Sequence, residues 1–390
     1  MKVGRLERAG LLEAHGRFLA DAVFARRPAP ALDLSAMDGF AVLARDTVGA
    51  KATAPRPLKV VGEVFAGQPP PKRDLQSGEA MRIYTGAALP YGADAVVRQE
   101  SITEGEQSVA VLVEAKPGDN VRARGEEWRE GERLLEPGTR IDAGVLAVLA
   151  SMGLVTVPVR ASPRLSIITQ GDELVEPGAR IEPHQVYDSN RVMLAAMAAD
   201  TGAHLVGEER VKDDDRALAE TLERLSAETD VVVTCGGASV GKKDRVKWVL
   251  ETLGAETIFD GVAMRPGKPV GLFSLGPAVV AVLPGNPLAA AVTFDQLVRP
   301  LLYKRQGVLE ARRVLTVPID RDVAKPAGMR QFIPRNERVR GGPTMPLVGA
   351  SGWLVLPDAP SHVSQGREVP FELFADPRHV PASDEAATSA

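Results

Sequence analysis

Strands alternating with helices over residues 162–305 predict an α/β protein built around a doubly wound parallel sheet. Two observations carry this. Strands are expected at Arg164–Thr169, His204–Val211, Asp230–Cys235 and Val279–Leu283, the third an apolar, β-branched run. Between and after them lie helical patterns at Ser189–Asp200, Ala217–Ala227, Arg245–Leu253 and Pro287–Gln306, with Ser189 placed as an N-cap and Gly202 and Gly254 as stops. Ligands in such domains bind beyond the carboxyl ends of the strands, so Thr169–Glu173, Gly236–Asp244 and Pro284–Pro287 are expected to share one crevice.

The flanking segments make the chain multidomain. Residues 5–25 read as an amphipathic helix, with Leu6, Leu11, Leu12, Phe18, Leu19 and Val23 for one face, ended by Arg26–Pro30. Short strands follow at Leu58–Phe65, Ala80–Tyr84, Asp94–Arg98 and Ser108–Glu114. Gly144–Met152 is helical, and a small β domain with strands near Val314–Ile319 and Glu368–Phe374 closes the chain. The expected divisions are 1–30 with 128–161 as an elongated N-terminal and dimerisation region, 31–127 as a β-rich domain, 162–305 as the α/β domain, 306–376 as a C-terminal β domain, and 377–390 as a polar, disordered tail.

Composition excludes several classes. With 44% hydrophobic and 25% charged residues among 390, the chain has the make-up of a soluble globular protein of several domains. Its net charge of −4 and lack of a basic run argue against nucleic acid and membrane surfaces as partners. No apolar stretch reaches the roughly 18 residues of a membrane span, and no signal peptide precedes Arg5. A single cysteine, Cys235, excludes a disulfide framework and thiolate metal clusters and fits a reduced, cytoplasmic setting.

The segment Val231–Gly241, followed by Asp244, carries the most chemical information. An apolar strand runs into Gly236, Gly237, Ser239 and Gly241, small residues that let backbone N–H groups approach phosphate oxygens. Asp244 then offers a carboxylate for a phosphate-bound Mg²⁺. The loop is not a P-loop, because Lys243 stands where Ser or Thr would hold the metal, and G-x-G-x-x-G is absent from it. Asp172 and Glu173 follow another strand, where they either serve a metal or amine or cap a helix. Arg265-Pro266-Gly267-Lys268-Pro269 presents either an oxyanion-binding turn or a solvated basic one. Pro284-Gly285-Asn286-Pro287 opens a helix whose N–H groups suit an anion, unless Asn286 caps them. Ser35–Ala41, Thr85-Gly86-Ala87 and Asn120–Glu127 are small polar turns, each weak by itself.

In order, these segments resemble one family, the molybdopterin molybdenumtransferases of the MoeA and gephyrin E-domain type. The matching series is Ser35–Ala41, Arg82–Pro90 with Gly92-Ala93-Asp94, Asn120–Glu127, Gly171–Leu174, Gly236–Gly241 with Asp244, Pro266–Pro269 and Pro284–Pro287. The resemblance implies a homodimer whose α/β domain binds molybdopterin. It implies a reaction of adenylylated molybdopterin with molybdate in Mg²⁺, giving molybdenum cofactor and AMP. A molybdopterin adenylyltransferase and apo-molybdoenzymes are the implied partners.

The resemblance also distributes roles. Asp38, Thr85, Glu173, Asp213, Asp244 and Lys268 are expected to be catalytic, the first two contributed across the dimer, with Asp213 and Asp244 on Mg²⁺. Arg122, Glu127, Gly236, Gly237, Ser239, Gly241 and Pro284–Pro287 are expected to bind the pterin nucleotide. Lys268, Arg330, Arg335 and Ser351 are expected at molybdate. The dithiolene of the pterin supplies sulfur ligands, so the protein needs no cysteine cluster. Departures from the family pattern fall at Gln170 (usually Thr), Glu127 (usually Asp), Arg265 (usually Lys) and Ala289 (usually Ser), and the last domain is shortened around Val348–Trp353. Ala289 and that shortening leave a pterin-binding scaffold of the same fold as the alternative to an active transferase.

Overall fold

The structure, a computed structural model, describes residues 3–236, 245–335, 345–359, 361–374 and 378–381. Gly237, Ser239, Gly241 and Asp244 lie outside the described residues. The chain forms two compact units, residues 22–135 and residues 1–21 with 136–390. The first is wider than the 31–127 expected for the β-rich domain, because Val23–Phe24 pairs with Arg133–Leu135 and Ala29 bridges Trp128.

In the 22–135 unit, six strands lie in the order Ala95–Arg98, Gly39–Val42, Glu79–Ile83, Lys51–Val64, Ser108–Val113, Ile102–Glu104. Successive side chains on a strand face opposite sides. Phe40 and Val42 accordingly pack with Leu58, Val97 and Val111, while Ala41 and Leu43 pack with Val64, Ile83 and Val96. The sheet is thus buried on both faces.

In the other unit the central sheet runs His204–Val211, Arg164–Gln170, Val231–Cys235, Ala278–Leu283, Gly271–Leu275, Glu256–Asp260. The first four strands are parallel, as expected. Two further strands, Gly271–Leu275 and Glu256–Asp260, extend the sheet and are antiparallel to their neighbours. The cause is the two-residue Gly276-Pro277 connection, which only an antiparallel pair can accept. Helices Ser189–Ala199 and Pro287–Arg305 cover one face, over Leu165, Ile167, Val231 and Val233. Helices Asp215–Glu228 and Arg245–Thr252 cover the other, over Ile168, Val232, Val280 and Val282. The sheet is therefore doubly wound. The long helix contains a π-helical stretch at Phe294–Val298. Asp188, rather than Ser189, caps its helix by accepting from Arg191 N at 3.1 Å.

The helix expected over residues 5–25 is not formed. Leu6–Gly10 is a strand paired antiparallel with Thr156–Arg160, and turns follow. Gly10 and Gly16 weaken any helix here. The apolar residues do not share a buried face either, since Leu12 is 86% exposed while Phe18 and Leu19 are buried. Phe18 meets Tyr303 edge-on, so long-range packing overrides the local pattern.

The C-terminal sheet has the order Met264–Arg265, Arg330–Pro334, Gly352–Leu356, Glu368–Leu373, Val314–Pro318. Its first strand comes from the basic turn of the α/β domain, which ties that turn to the C-terminal strands. Arg378–Pro381, within the tail expected to be disordered from 377, pairs antiparallel with Val308–Ala311; residues 382–390 lie outside the described residues.

Leu222 is fully buried on the Asp215–Glu228 helix. Leu222→Ala is expected to lower the stability of this unit by about 2–5 kcal/mol in chemical denaturation. An unchanged midpoint would contradict the packing described.

Candidate active site: a crevice at the strand ends

Three parallel strands end side by side at Gln170, Cys235 and Leu283, and the turns after them enclose a crevice of about 300 Å³. Close backbone approach builds its floor. A Cβ on Gly236, whose φ is +104°, would lie 2.3 Å from the Gln170 carbonyl oxygen, so only glycine fits. Gln170, Glu173, Gly236, Gly285 and Pro287, all expected here, line the crevice. Glu173 is exposed, and its carbonyl accepts from Val186 N at 2.9 Å.

Asp213 stands at the end of the neighbouring strand. Its Oδ1 accepts from Gln170 Nε2 at 3.3 Å, its N donates to Asp172 Oδ1 at 3.3 Å, and its carbonyl accepts from Arg245 Nη2 at 2.8 Å. The carboxylate and its backbone are thus both anchored.

Asn286 caps its helix, accepting from Leu288 N at 3.1 Å and Ala289 N at 3.3 Å. The cap occupies two of the N–H groups that an anion would otherwise use. The alternative reading of Asn286 as a structural cap therefore describes its side chain.

The Lys268 turn packs on this helix further along. A Cβ on Gly267 would lie 2.5 Å from Thr293 Cγ2, six residues, or about 9 Å of helix rise, from Pro287. Lys268 itself is exposed. Arg330 begins the strand beside Met264 and is exposed as well. Arg335 follows the other end of that strand, next to Ser351, whose N donates to the Arg335 carbonyl at 3.1 Å. Five residues of strand separate the two arginines by about 17 Å. Arg330 and the Arg335–Ser351 pair therefore do not meet around one small oxyanion.

Asp188, Asn190 and Cys235 also line this crevice and escaped the sequence reading, whereas Thr169 lies in it as expected. Thr169 Oγ1 donates to buried Asp188 at 2.5 Å. Asn190 Nδ2 donates to the Gly285 carbonyl at 2.6 Å and to Cys235 Sγ at 3.3 Å, tying helix start to strand ends. The signal available was the polar Asp188-Ser189-Asn190 triplet opening a helix of a doubly wound domain.

The 22–135 unit carries a second polar cluster. Its three sequence-distant turns come together: Gly86 N donates to the Ser35 carbonyl at 2.8 Å, and Ala36 N to the Asn120 carbonyl at 2.9 Å. Asp38 Oδ1 accepts from Thr85 N at 2.7 Å and Thr85 Oγ1 at 2.9 Å. These bonds, the backbone one first, hold the Asp38 carboxyl below its usual range. Arg122 and Glu127 form an ion pair.

A larger cavity, about 400 Å³, lies under the C-terminal sheet, with Met193, Met197, Trp353 and Phe374 in its wall. Its buried Asp295 is already engaged by Arg312 at 2.5 Å and Trp353 Nε1 at 2.8 Å.

Burial pushes the Cys235 thiol up to about 12, with nearby Asp188 adding to the shift and Asn190 opposing it. The thiol is therefore neutral and inert at physiological pH. An unfolded chain ionises it near pH 8.5, so its preference for the folded state is complete below that pH and fades as pH rises toward the folded value. At pH 8, native protein is expected to leave Cys235 unmodified by a thiol reagent, with one thiol per chain appearing in denaturant. Rapid modification of native protein would contradict this burial.

Comparison with known proteins agrees with the geometry. Residues 3–153 match the MoeA N-terminal region (domain I and II), and residues 166–304 match a probable molybdopterin binding domain. A molybdopterin molybdenumtransferase of Nostoc sp. is 41% identical over 76% of this chain and 69% of its own length. One from Haemophilus influenzae is 33% identical over 94% of each chain. The crystal structure of a molybdopterin biosynthesis MoeA protein from Pyrococcus horikoshii OT3 superposes with a TM-score of 0.77 at 27% identity, covering 95% of each chain. With the strand-end crevice inside the molybdopterin-binding match and both units covered by relatives, the chain belongs to the molybdopterin molybdenumtransferases, transferases of molybdenum cofactor biosynthesis.

Proposed function

We propose that the chain takes adenylylated molybdopterin and molybdate, and that AMP leaves as the molybdenum cofactor forms. The observation that carries this reading is the convergence of Gln170, Gly236 and Pro284–Pro287 on one crevice with anchored Asp213 at its edge. An anhydride between two phosphates needs positioning and charge compensation more than a covalent catalyst. Backbone at Gly236 and Gly285 lies close enough to the crevice for a phosphate to be held by main-chain groups.

Among the described residues, no three His, Cys, Asp or Glu side chains group closely enough to hold a metal ion alone. Mg²⁺ takes one or two carboxylates and completes its shell with phosphates and water. Asp213 is a hard oxygen donor already fixed in place, and Asp244 would be the second. Mg²⁺ held there would neutralise charge on the anhydride as AMP departs. Glu173 would orient the substrate at the mouth of the crevice. Lys268 would attract molybdate, with Arg330 the nearer of the two candidate arginines in the C-terminal sheet. The Asp38–Thr85 cluster, anionic and already hydrogen-bonded, would accept N–H groups of the substrate rather than give up a proton.

The reading extends to a homodimer in a cytoplasmic setting, supplied by a molybdopterin adenylyltransferase and delivering to apo-molybdoenzymes. Support comes from the series of matching motifs and from the reduced, buried Cys235. Among the described residues, no helix is long and apolar enough to cross a membrane.

Ala289 favours a second reading. Its side chain is buried and offers no hydroxyl, so a pterin-binding scaffold with weak metal insertion remains a distinct outcome. In Mg²⁺, molybdate-dependent AMP release from adenylylated molybdopterin is the expected result; binding without release would favour the scaffold. Lys268→Ala is expected to reduce that release about 10- to 100-fold, as loss of one hydrogen bond to a charged group would. Unchanged release would remove Lys268 from the molybdate site.

A further inference from the structure

Gln170 is placed where a strand end meets the crevice, and it is 2% exposed. Its carboxamide is only half satisfied. Nε2 donates to Asp213 Oδ1, whereas Oε1 is buried without a hydrogen-bond partner. An orphaned buried oxygen costs stability, and a long flexible side chain costs further entropy to fix. A β-branched residue would suit the strand better. Stability alone therefore does not account for a glutamine at this position.

Its length does something a shorter side chain cannot. Residue 170 sits opposite Val211 in the parallel pair, and Asp213 lies two residues further along. The amide nitrogen of Gln reaches across that gap to the carboxylate. A Thr hydroxyl, attached directly to Cβ, stops short of it. Asp172 and Arg245 hydrogen-bond the backbone of Asp213 and the Arg245 guanidinium attracts its carboxylate, while among the described residues Gln170 is the side chain that donates a hydrogen bond to that carboxylate.

We propose that Gln170 is a positioning residue for the metal-phosphate end of the site. It fixes the Asp213 carboxylate in one orientation beside the crevice. This rests on the reading of Asp213 as a ligand to a phosphate-bound divalent cation. Preorganisation of this kind raises the affinity for the cation and the rate of the step that uses it, with little effect on binding of the remainder of the substrate.

The test compares wild type with Gln170→Thr and Asp213→Asn, all as full-length protein. Mn²⁺ binding is titrated by electron paramagnetic resonance in the presence of AMP, alongside steady-state AMP release and thermal unfolding. Gln170→Thr is expected to weaken Mn²⁺ binding about fivefold and to lower kcat about tenfold. KM for adenylylated molybdopterin should stay within about twofold, and Tm should be unchanged or higher. A Tm loss with parallel changes in kcat and KM would make Gln170 merely structural and overturn the proposal. If Asp213→Asn loses Mn²⁺ and activity while Gln170→Thr retains both, the site reading stands and the role of Gln170 is wrong. If Asp213→Asn also retains both, the metal-phosphate reading fails and takes the proposal with it.

Discussion

The structure depends on the burial of both faces of four parallel strands. Val231, Val233 and Cys235 point into one helical layer and Val232 into the other, so this central strand is buried on both faces. A sheet covered on both faces leaves its polar opening at the strand ends. At the carboxyl ends every connection must turn outward to reach the next helix, and those turns enclose the crevice. Hydrophobic burial thus places the chemistry without any of the core residues taking part in it.

Backbone proximity then shapes the crevice. Gly236 lies against the Gln170 carbonyl, and Asn190 links the Gly285 carbonyl to the Cys235 thiol. These contacts hold three strand ends and one helix start as a rigid set. Polar side chains are committed to structural bonds: Asn286, whose use the sequence left open, to the helix cap, and Asp188 to Thr169 and Arg191. Asp213 keeps a carboxylate available while its position is fixed from three sides, which is what a shared metal-phosphate site requires.

Much of this was legible in the sequence. The four parallel strands and their helices follow from apolar runs and period, and the crevice follows from where the glycine and proline turns fall. The ordered series of motifs, which no single turn could supply, pointed to the family. What was not legible depended on distant partners. Residues 5–25 have a helical pattern that gives way to pairing with Thr156–Arg160. The antiparallel edge of the sheet is set by Gly276-Pro277, a turn whose significance appears only once the two short strands beside it are recognised. The separation of Arg330 from Arg335 required knowing that a continuous strand joins them. The Gln170–Asp213 bridge required the register between two strands 34 residues apart in sequence, from Gln170 to His204.

Two cavities compete as the place where substrate binds, and their chemistry differs. The larger holds a buried carboxylate already paired with Arg312; the smaller is lined by strand-end backbone and by Gln170, Glu173 and Asn190. A crystal structure with AMP and Mg²⁺ tests the central claim most directly. Phosphate density at the strand ends, beside Gly236 and Asp213, is the result this account predicts. Nucleotide density in the cavity by Met193 and Trp353, with the strand-end crevice empty, would contradict it.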